Sequence, residues 1–244
     1  MIIKFVDGGD MRLGKVFLII FLILNLGYST EFQWYRAKVG LLKPVPDGWD
    51  AGMDYDLEFL EALEKYTTLK VNKKVNVTTF EDIEKISQYP IVFMTSEGDI
   101  KFSDIEIKNM REYCNRGGFL FVDDCVYKGR GDYFFRSFKN LVETKIFPGK
   151  KMELLPLDHE IYHCHFDLTK GLPYIDGEGG QGVPHGGYGL SDDKGNLVIF
   201  LSAHDIHCGW SSKLHQLFPN KFTSAKREEC IKMAINIVIY ALTH

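Results

Sequence analysis

The stretch that decides the fold is IVFMTSEGDIKFSDIEIKNMREYCNRGGFLFVDDC, residues 91–125. It begins with the apolar run Ile91 to Met94 and nearly ends with a second, Phe119 to Val122, and each run has the length of a buried strand. Between them, Ser103-Asp104-Ile105-Glu106 has the pattern of a capping box that starts a helix, and Gly117-Gly118 has the residue type that ends one. Strand, helix and strand in this order indicate a βαβ unit, whose two strands are parallel.

Further strands and helices are predicted on both sides of this unit. The predicted strands are Phe32 to Val39, Val75 to Val77 and Leu197 to Leu201. One predicted helix carries Leu57, Leu60 and Leu63 after an Asp54 N-cap, and a short one starts at a capping box over Thr79 to Asp82. A C-terminal helix has an apolar face formed by Ile231, Ala234, Ile235, Val238 and Leu242. Apolar strands that alternate with amphipathic helices are typical of an α/β fold with a mostly parallel sheet. Because no linker-like stretch divides the chain, we expect a single α/β domain over residues 30–244.

The first thirty residues differ in character from the rest. A basic stretch, Met11 to Lys15, precedes the apolar run Val16 to Leu24 and the small residues Gly27 and Ser29, which is the pattern of a secretory signal peptide. We therefore predict a signal peptide over residues 1–29, with Met1 or Met11 as the start, and an exported protein, periplasmic or extracellular. The apolar run is shorter than the roughly 20 residues that span a bilayer, so no stable membrane span is expected after cleavage; a retained anchor is the alternative.

The net charge limits the classes of partner. The net charge is −4 and no long Lys/Arg cluster occurs, so the expected partner is a protein or a small molecule and not a nucleic acid.

Cys114 and Cys230 fall on apolar helix faces and are predicted to be buried. Among Cys125, Cys164 and Cys208, export would permit one disulfide, whose pairing the sequence leaves open.

Polar residues follow the predicted strands at their carboxyl ends, where open parallel sheets bind ligands. Three segments qualify, Thr95 to Asp99, Asp123 to Lys128 and Ser202 to Trp210. Adjacent aspartates such as Asp123 and Asp124 can bind a metal ion or act as a general base, or one of them can cap the following helix.

Histidines are concentrated in two short segments and suggest a metal site. His159 and His163 would share one face of a helix, and His204 and His207 follow the last predicted strand. With Asp124, these four histidines are candidate ligands of a divalent metal ion such as zinc. Their spacing matches no established metal motif, and histidines held by ordinary hydrogen bonds are the alternative.

Other candidate site residues lie near the same strand ends. Cys125 occupies the strand-to-helix turn where a nucleophile would lie, although the flanking glycines of a nucleophile elbow are lacking. Trp49 and Trp210 could line a binding cleft or cover the core, and Arg136 could pair with one of the two aspartates. The glycine-rich run Gly177 to Gly182 lacks the context of a phosphate-binding loop and is predicted to be an ordinary loop.

Several motifs, taken in order, resemble the bacterial domain-of-unknown-function family 4159 (DUF4159) over about Phe32 to Thr243. They are Tyr89-Pro90, Phe102-Ser103-Asp104, Tyr113, Gly117-Gly118-Phe119-Leu120, Asp123-Asp124-Cys125, Phe135-Arg136-Ser137-Phe138, Phe147-Pro148, Leu155-Pro156-Leu157-Asp158-His159, Asp205, Cys208-Gly209-Trp210 and Asn236 to Leu242. The resemblance implies a flavodoxin-like three-layer α/β/α sandwich similar to class I glutamine amidotransferases. It does not carry over glutaminase activity, because the amidotransferase nucleophile and its His-Glu pair have no clear match, and His204 and His207 depart from the family pattern.

Three functions remain open from the sequence. The first is an exported, non-catalytic binding or assembly module that keeps an amidotransferase-like fold. The second is a metal-dependent hydrolase that uses Asp123, Asp124, His159 and Asp205. The third is nucleophilic chemistry at the Cys125 thiol.

Overall fold

The computed structural model describes residues 31–125, 132–175 and 184–244, and within them seven strands form one sheet. The strands are β1 (Phe32–Ala37), β2 (Val71–Thr78), β3 (Ile91–Ser96), β4 (Phe119–Asp124), β5 (Glu153–Leu154), β6 (Tyr188–Ser191) and β7 (Leu197–Ser202). Their order across the sheet is β2-β1-β3-β4-β7-β6-β5. The first five in this order are parallel, while β6 and β5 add an antiparallel edge. The predicted α/β class with a mostly parallel sheet is therefore confirmed.

The central strands are paired so that their carboxyl ends lie level. Ser96 of β3 pairs with Asp124 of β4, and Asp123 pairs with Ser202 of β7. Residues that follow these three strands therefore emerge at one edge of the sheet. We call this the carboxyl edge.

Seven helices are assigned in the described part of the chain. They are α1 (Met53–Tyr66), α2 (Ile83–Ile86), α3 (Asp104–Asn115), α4 (Tyr133–Leu141), α5 (Ile206–Gly209), α6 (Ser212–Leu217) and α7 (Ser224–Thr243), with a π-helical turn at Val142–Ile146 and a 3₁₀ turn at Glu160–Tyr162. At α3 the predicted capping box of Ser103 and Glu106 is confirmed, as is the glycine that ends the helix, since Gly117 has a φ of 92°.

Two predicted helix caps are wrong. Helix α1 begins one residue before Asp54, after Gly52 with a φ of 61°, so the Asp54 carboxylate lies inside the first turn, where it complements the helix dipole. The cap of α2 is Asp82, whose side chain accepts a hydrogen bond from the Lys85 backbone nitrogen, and the predicted Thr79 cap does not form.

Two apolar cores lie on opposite faces of the sheet because successive strand residues point to opposite sides. Phe93 and Phe121 belong to one core, together with side chains of α1 and α7. Val92 and Val122 belong to the other, with side chains of α3 and α4. Helices thus cover both faces, which explains why the central strands carry no exposed polar positions. Cys114 and Cys230 are buried in these cores, as predicted.

Two sequence predictions lie outside the described residues, namely the signal peptide over residues 1–29 and the loop over Gly177 to Gly182. Within the residues that are described, none of the helices combines the length and the apolar character that crossing a bilayer would require.

Candidate functional site

The carboxyl edge of β4 and β7 gathers the polar residues that the sequence singled out. Asp123 and Asp124 are the last residues of β4, and Cys125 follows them directly. After β7, the segment from His204 to Cys208 turns into the short helix α5. Because β4 and β7 are neighbours in register, the two segments meet. The structure thus brings Asp123, Asp124, Cys125 and Asp205 into one region.

Asp123 is fully buried, and one of its two carboxylate oxygens lacks a hydrogen-bond donor among the described residues. Its Oδ2 accepts a hydrogen bond of 2.8 Å from the backbone nitrogen of His207, at the start of α5. Its Oδ1 has no hydrogen-bond partner among the described residues. Burial raises the pKa of the Asp123 carboxyl to about 7, because a carboxylate without water or a cation is disfavoured.

Asp124 holds the start of helix α4. Its Oδ2 accepts a hydrogen bond of 2.7 Å from the backbone nitrogen of Phe135, in the first turn of that helix. Its Oδ1 lacks a partner within the described part of the chain. Burial, together with the nearby charges of Asp123, Asp132 and Asp205, raises the pKa of Asp124 well above its ordinary value. The interpretation that one of the two aspartates caps the following helix holds for Asp124.

A second group consists of Cys125, Asp205 and Cys208. The two sulfur atoms are 3.7 Å apart, and these atoms and a carboxylate oxygen of Asp205 all lie within 4.8 Å of one another. All five cysteines of the chain are free thiols, so no disulfide is formed. Asp205 has a φ of 56° and is the one non-glycine residue with positive φ in the described residues. Aspartate tolerates this left-handed conformation better than most residues, and here it turns the chain from β7 into α5.

Neither thiol is an activated nucleophile. The hydrogen bond with Cys208 favours the Cys125 thiolate, but burial and the charges of Asp205 and Asp47 outweigh it and raise the pKa of Cys125 to about 12. The contact with Cys125, burial and Asp205 raise the pKa of Cys208 well above its ordinary value. A catalytic thiol needs a lowered pKa. The raised pKa values of both thiols therefore give no support to nucleophilic chemistry at Cys125.

A buried charged network that the sequence did not reveal lies beside these groups. Arg36 on β1 pairs with Asp56 on α1 through two bonds, Nε to Oδ2 at 3.0 Å and Nη2 to Oδ1 at 2.8 Å, and both side chains are 0% exposed. The indole nitrogen of Trp34 donates to the same Oδ2 at 3.1 Å. Although burial alone would raise the pKa of Asp56, the Arg36 charge outweighs it and holds that pKa below its ordinary value. The pair is therefore ionised at neutral pH.

His207 joins this network to the carboxyl edge. Its Nε2 lies 2.7 Å from Nη2 of Arg36. Burial and the Arg36 charge lower the pKa of His207, and its Nε2 also lies 3.2 Å from Oδ1 of Asp56 and 3.2 Å from the Gly52 carbonyl oxygen. Its Nδ1 has no hydrogen-bond partner among the residues described. His207 is thus held by Arg36 through its ring and by Asp123 through its backbone.

Arg36 also fixes the loop before α1. Its Nη1 donates to the carbonyl oxygens of Trp49 and Ala51 at 3.1 and 2.6 Å. Further along the same loop, the backbone nitrogen of Glu97 donates to the Asp47 carbonyl oxygen at 3.1 Å. The Trp49 ring is half-buried and lies 5.6 Å from the Lys38 ammonium group. The protein's own chain thus covers the carboxyl ends of β1 and β3.

The structure does not bring His159 and His163 to this region. The His159 ring packs 5.9 Å from that of Tyr240, whose hydroxyl group lies 3.4 Å from the backbone nitrogen of Leu197, the first residue of β7. His159 therefore lies near the opposite edge of the sheet from Asp123. His163 is engaged elsewhere, with Nδ1 2.5 Å from Asp167 and Nε2 2.8 Å from the Leu157 carbonyl oxygen.

His204 is next to Asp205 in sequence, but its ring contacts Gly186 and His185. Its Nε2 accepts a hydrogen bond of 3.4 Å from the Gly186 backbone nitrogen, and its ring lies 4.4 Å from that of His185. Burial and the proximity of His185 lower the pKa of His204 to about 4. The ring is therefore neutral at physiological pH.

Trp210 takes the second of its two predicted positions, in the core, and Arg136 contacts Asp132. Trp210 is 0% exposed and stacks on Phe59 at 4.8 Å, so it is part of the core and does not line an open cleft. The Arg136 side chain is mostly exposed and its Nη2 lies 3.8 Å from Oδ2 of Asp132. A charged residue in the apolar strand β1 was the signal that could have revealed Arg36, because such a residue is buried only with a partner.

Comparison with known proteins places the chain in a family of unknown function. A search of curated proteins found no match to the sequence. The family model described as a domain of unknown function, DUF4159, matches residues 38–242, and the chain belongs to this family.

Proposed function

We propose that this protein is an exported binding module without catalytic activity of its own, and that its ligand is held at the carboxyl edge of β4 and β7. The N-terminal sequence supports export to the periplasm or the extracellular space. A flavodoxin-like three-layer fold, similar to that of class I glutamine amidotransferases, is part of the proposal. Counted along the parallel strands, the order β2-β1-β3-β4-β7 corresponds to the 2-1-3-4-5 order of flavodoxin-like sheets.

One observation carries the binding function. Asp123 and Asp124 are fully buried, and each has one carboxylate oxygen without a partner among the described residues. A buried acceptor left unsatisfied costs about 1–3 kcal/mol. A cation or a hydrogen-bond donor that reached either oxygen would recover this free energy, so the ligand class is a cationic or donor-rich small molecule, metal ion or protein segment.

A thermal-shift screen tests this function. The full chain is heated with a panel of divalent cations, primary amines and guanidinium compounds, alongside Asp123→Asn, Asp124→Asn and the control Asp193→Asn, whose side chain is 93% exposed. We expect at least one compound to raise the Tm of the wild type and the control but not that of either buried variant. If no compound stabilises the wild type, or if every stabilising compound acts equally on all four proteins, the proposed function is wrong.

A metal-dependent hydrolase is the second candidate. Two observations favour it: the pKa of Asp123 is about 7, in the range of a general base at neutral pH, and Asp205 has the strained backbone often found at functional sites. It ranks second because Asp123, Asp124 and Asp205 are at most 3% exposed, and His159 lies at the opposite edge. Metal-stimulated hydrolysis of chromogenic ester or phosphodiester substrates, lost in Asp205→Asn, would place it first.

A further inference from the structure

Cys125, Asp205 and Cys208 come from two segments that the sheet brings together, and their three ligand atoms converge. Cys125 follows β4, whereas Asp205 precedes helix α5 and Cys208 lies within it, after β7. Cys125 is buried, Asp205 is 3% exposed and Cys208 is partly buried. Thiolate and carboxylate are both ligands of Zn²⁺.

The sulfur–sulfur distance matches a single tetrahedral ion. Zinc–sulfur bonds are about 2.3 Å long, so two sulfur atoms on one tetrahedral zinc ion lie about 3.8 Å apart. The observed separation of the Cys125 and Cys208 sulfur atoms is 3.7 Å. A zinc-bound carboxylate oxygen would lie about 3.6 Å from each sulfur, and the Asp205 oxygen is within 4.8 Å of both. A disulfide would instead need sulfur atoms about 2.05 Å apart.

An independent observation also indicates a cation here. The Asp123 carboxylate, two residues before Cys125, is fully buried, and its Oδ1 has no partner in the described part of the chain. An acidic side chain in this position is costly without a positive charge nearby.

We propose that Cys125, Asp205 and Cys208 form the binding site of a thiolate-preferring divalent metal ion, and that zinc is this ion. On binding, each thiol releases its proton to solvent and the metal takes its place. Three protein ligands leave one position of the tetrahedron for water or an exchangeable ligand. This inference rests on the proposed binding function, because it names the ligand of the same edge, and it replaces the histidine ligands expected from the sequence with two thiolates and an aspartate.

The left-handed backbone of Asp205 suits this role. Asp205 has a φ of 56°, and its carboxylate lies close to the Cys208 sulfur across the first turn of α5. Asparagine tolerates the same conformation, so Asp205→Asn removes the charge and keeps the turn. That variant separates ligand chemistry from local folding.

Metal analysis of the full chain tests the site. The protein is purified under reducing conditions, stripped with a chelator, titrated with zinc chloride and analysed by elemental mass spectrometry. We expect one zinc ion per chain in the wild type, loss of bound zinc in Cys125→Ser and Cys208→Ser, and affinity weakened at least about tenfold in Asp205→Asn. The matched control is Cys164→Ser, whose sulfur lies 3.2 Å from the Asn236 carbonyl oxygen in another part of the fold, and it should keep full stoichiometry.

Cobalt provides a readout that does not depend on the stability of the variants. Titration of the wild type with cobalt chloride should produce a thiolate-to-cobalt charge-transfer band and the visible absorption of a tetrahedral ion. The inference is overturned if the reduced wild type binds no zinc, if Cys208→Ser binds zinc as tightly as the wild type, or if Cys164→Ser loses zinc equally. A Cys125–Cys208 disulfide that persists in the purified protein under reducing conditions would also overturn it.

The metal site and the general binding function can fail separately. A compound that stabilises the wild type and Cys208→Ser but not Asp124→Asn would support the binding function and count against the metal site. Zinc that binds with the expected dependence on both cysteines supports the two together.

Discussion

Replacing Asp56 by asparagine removes one charge from the buried pair with Arg36 and leaves the guanidinium group uncompensated. The Asp56 carboxylate accepts two hydrogen bonds from Arg36 and one from Trp34, and neither charged side chain reaches solvent. Breaking a buried ion pair by removing one partner costs about 3–5 kcal/mol, a figure that already includes the lost hydrogen bonds. We expect Asp56→Asn to lower the free energy of unfolding by about 3–5 kcal/mol, a large share of the roughly 5–15 kcal/mol of a typical domain.

Urea denaturation followed by fluorescence and circular dichroism measures this loss. A matched surface control is Glu64→Gln, which breaks the exposed pair with Lys73 at 2.6 Å and should leave the unfolding midpoint unchanged. The double variant Arg36→Met/Asp56→Leu removes both charges and should lose less stability than the two single variants summed. A loss below about 1 kcal/mol in Asp56→Asn would contradict the reasoning, because it would mean that Arg36 finds water or another anion.

Three further predictions concern local structure and pH. Ser103→Ala should lower the stability by about 1 kcal/mol, since it removes the acceptor for the Glu106 backbone nitrogen in the capping box of α3, and thermal unfolding would show it. Gly118→Ala should cost about 1–3 kcal/mol, because a Cβ atom there would lie 2.3 Å from the buried Tyr113 ring; an unchanged Tm would show that the ring moves freely. Burial alone would raise the pKa of Glu143, but Lys139 and Lys151 lower it to about 2, so the stability that they confer is present above pH about 4 and is lost as the pH falls toward 2. Between about pH 4 and pH 2 the free energy of unfolding of Glu143→Gln should fall by about 1 kcal/mol less than that of the wild type. If the two proteins lose the same stability over this range, the ion pairs contribute nothing.

The sequence predicted the parts of the fold that repeat a simple pattern. The apolar runs at Ile91, Phe119 and Leu197 each became a buried strand, because continuous apolar residues fit only a sheet covered on both faces. The short antiparallel strands β5 and β6 were not predicted. Strand β5 has only two residues, both exposed, so no periodicity marks it. The register of β6 also shifts between Leu190 and Ser191, which breaks the alternation of a regular strand.

The sequence predicted where the candidate site lies but not which residues come together there. Placing Asp123 and Asp205 at the carboxyl ends of parallel strands needed only the topology rule. Cys125 and Cys208 are separated by 83 residues, and which cysteines approach one another depends on the strand order, because β7 inserts beside β4. The Arg36–Asp56 pair was missed for the same reason: a charged residue within a strand shows that a partner must exist but not which one it is.

The two networks are joined at His207, and this junction explains how so many buried charges fit at one edge. The His207 backbone nitrogen binds Asp123, and the same residue's ring binds Arg36, which in turn holds Asp56 and the loop that covers β1 and β3. The start of α5 is therefore fixed from two sides, with Asp205 immediately before it and Cys208 within it. Because a metal site requires ligand atoms held in place before the ion arrives, the Arg36–Asp56 pair acts as the support of the thiol cluster through His207, although neither side chain is one of its ligands.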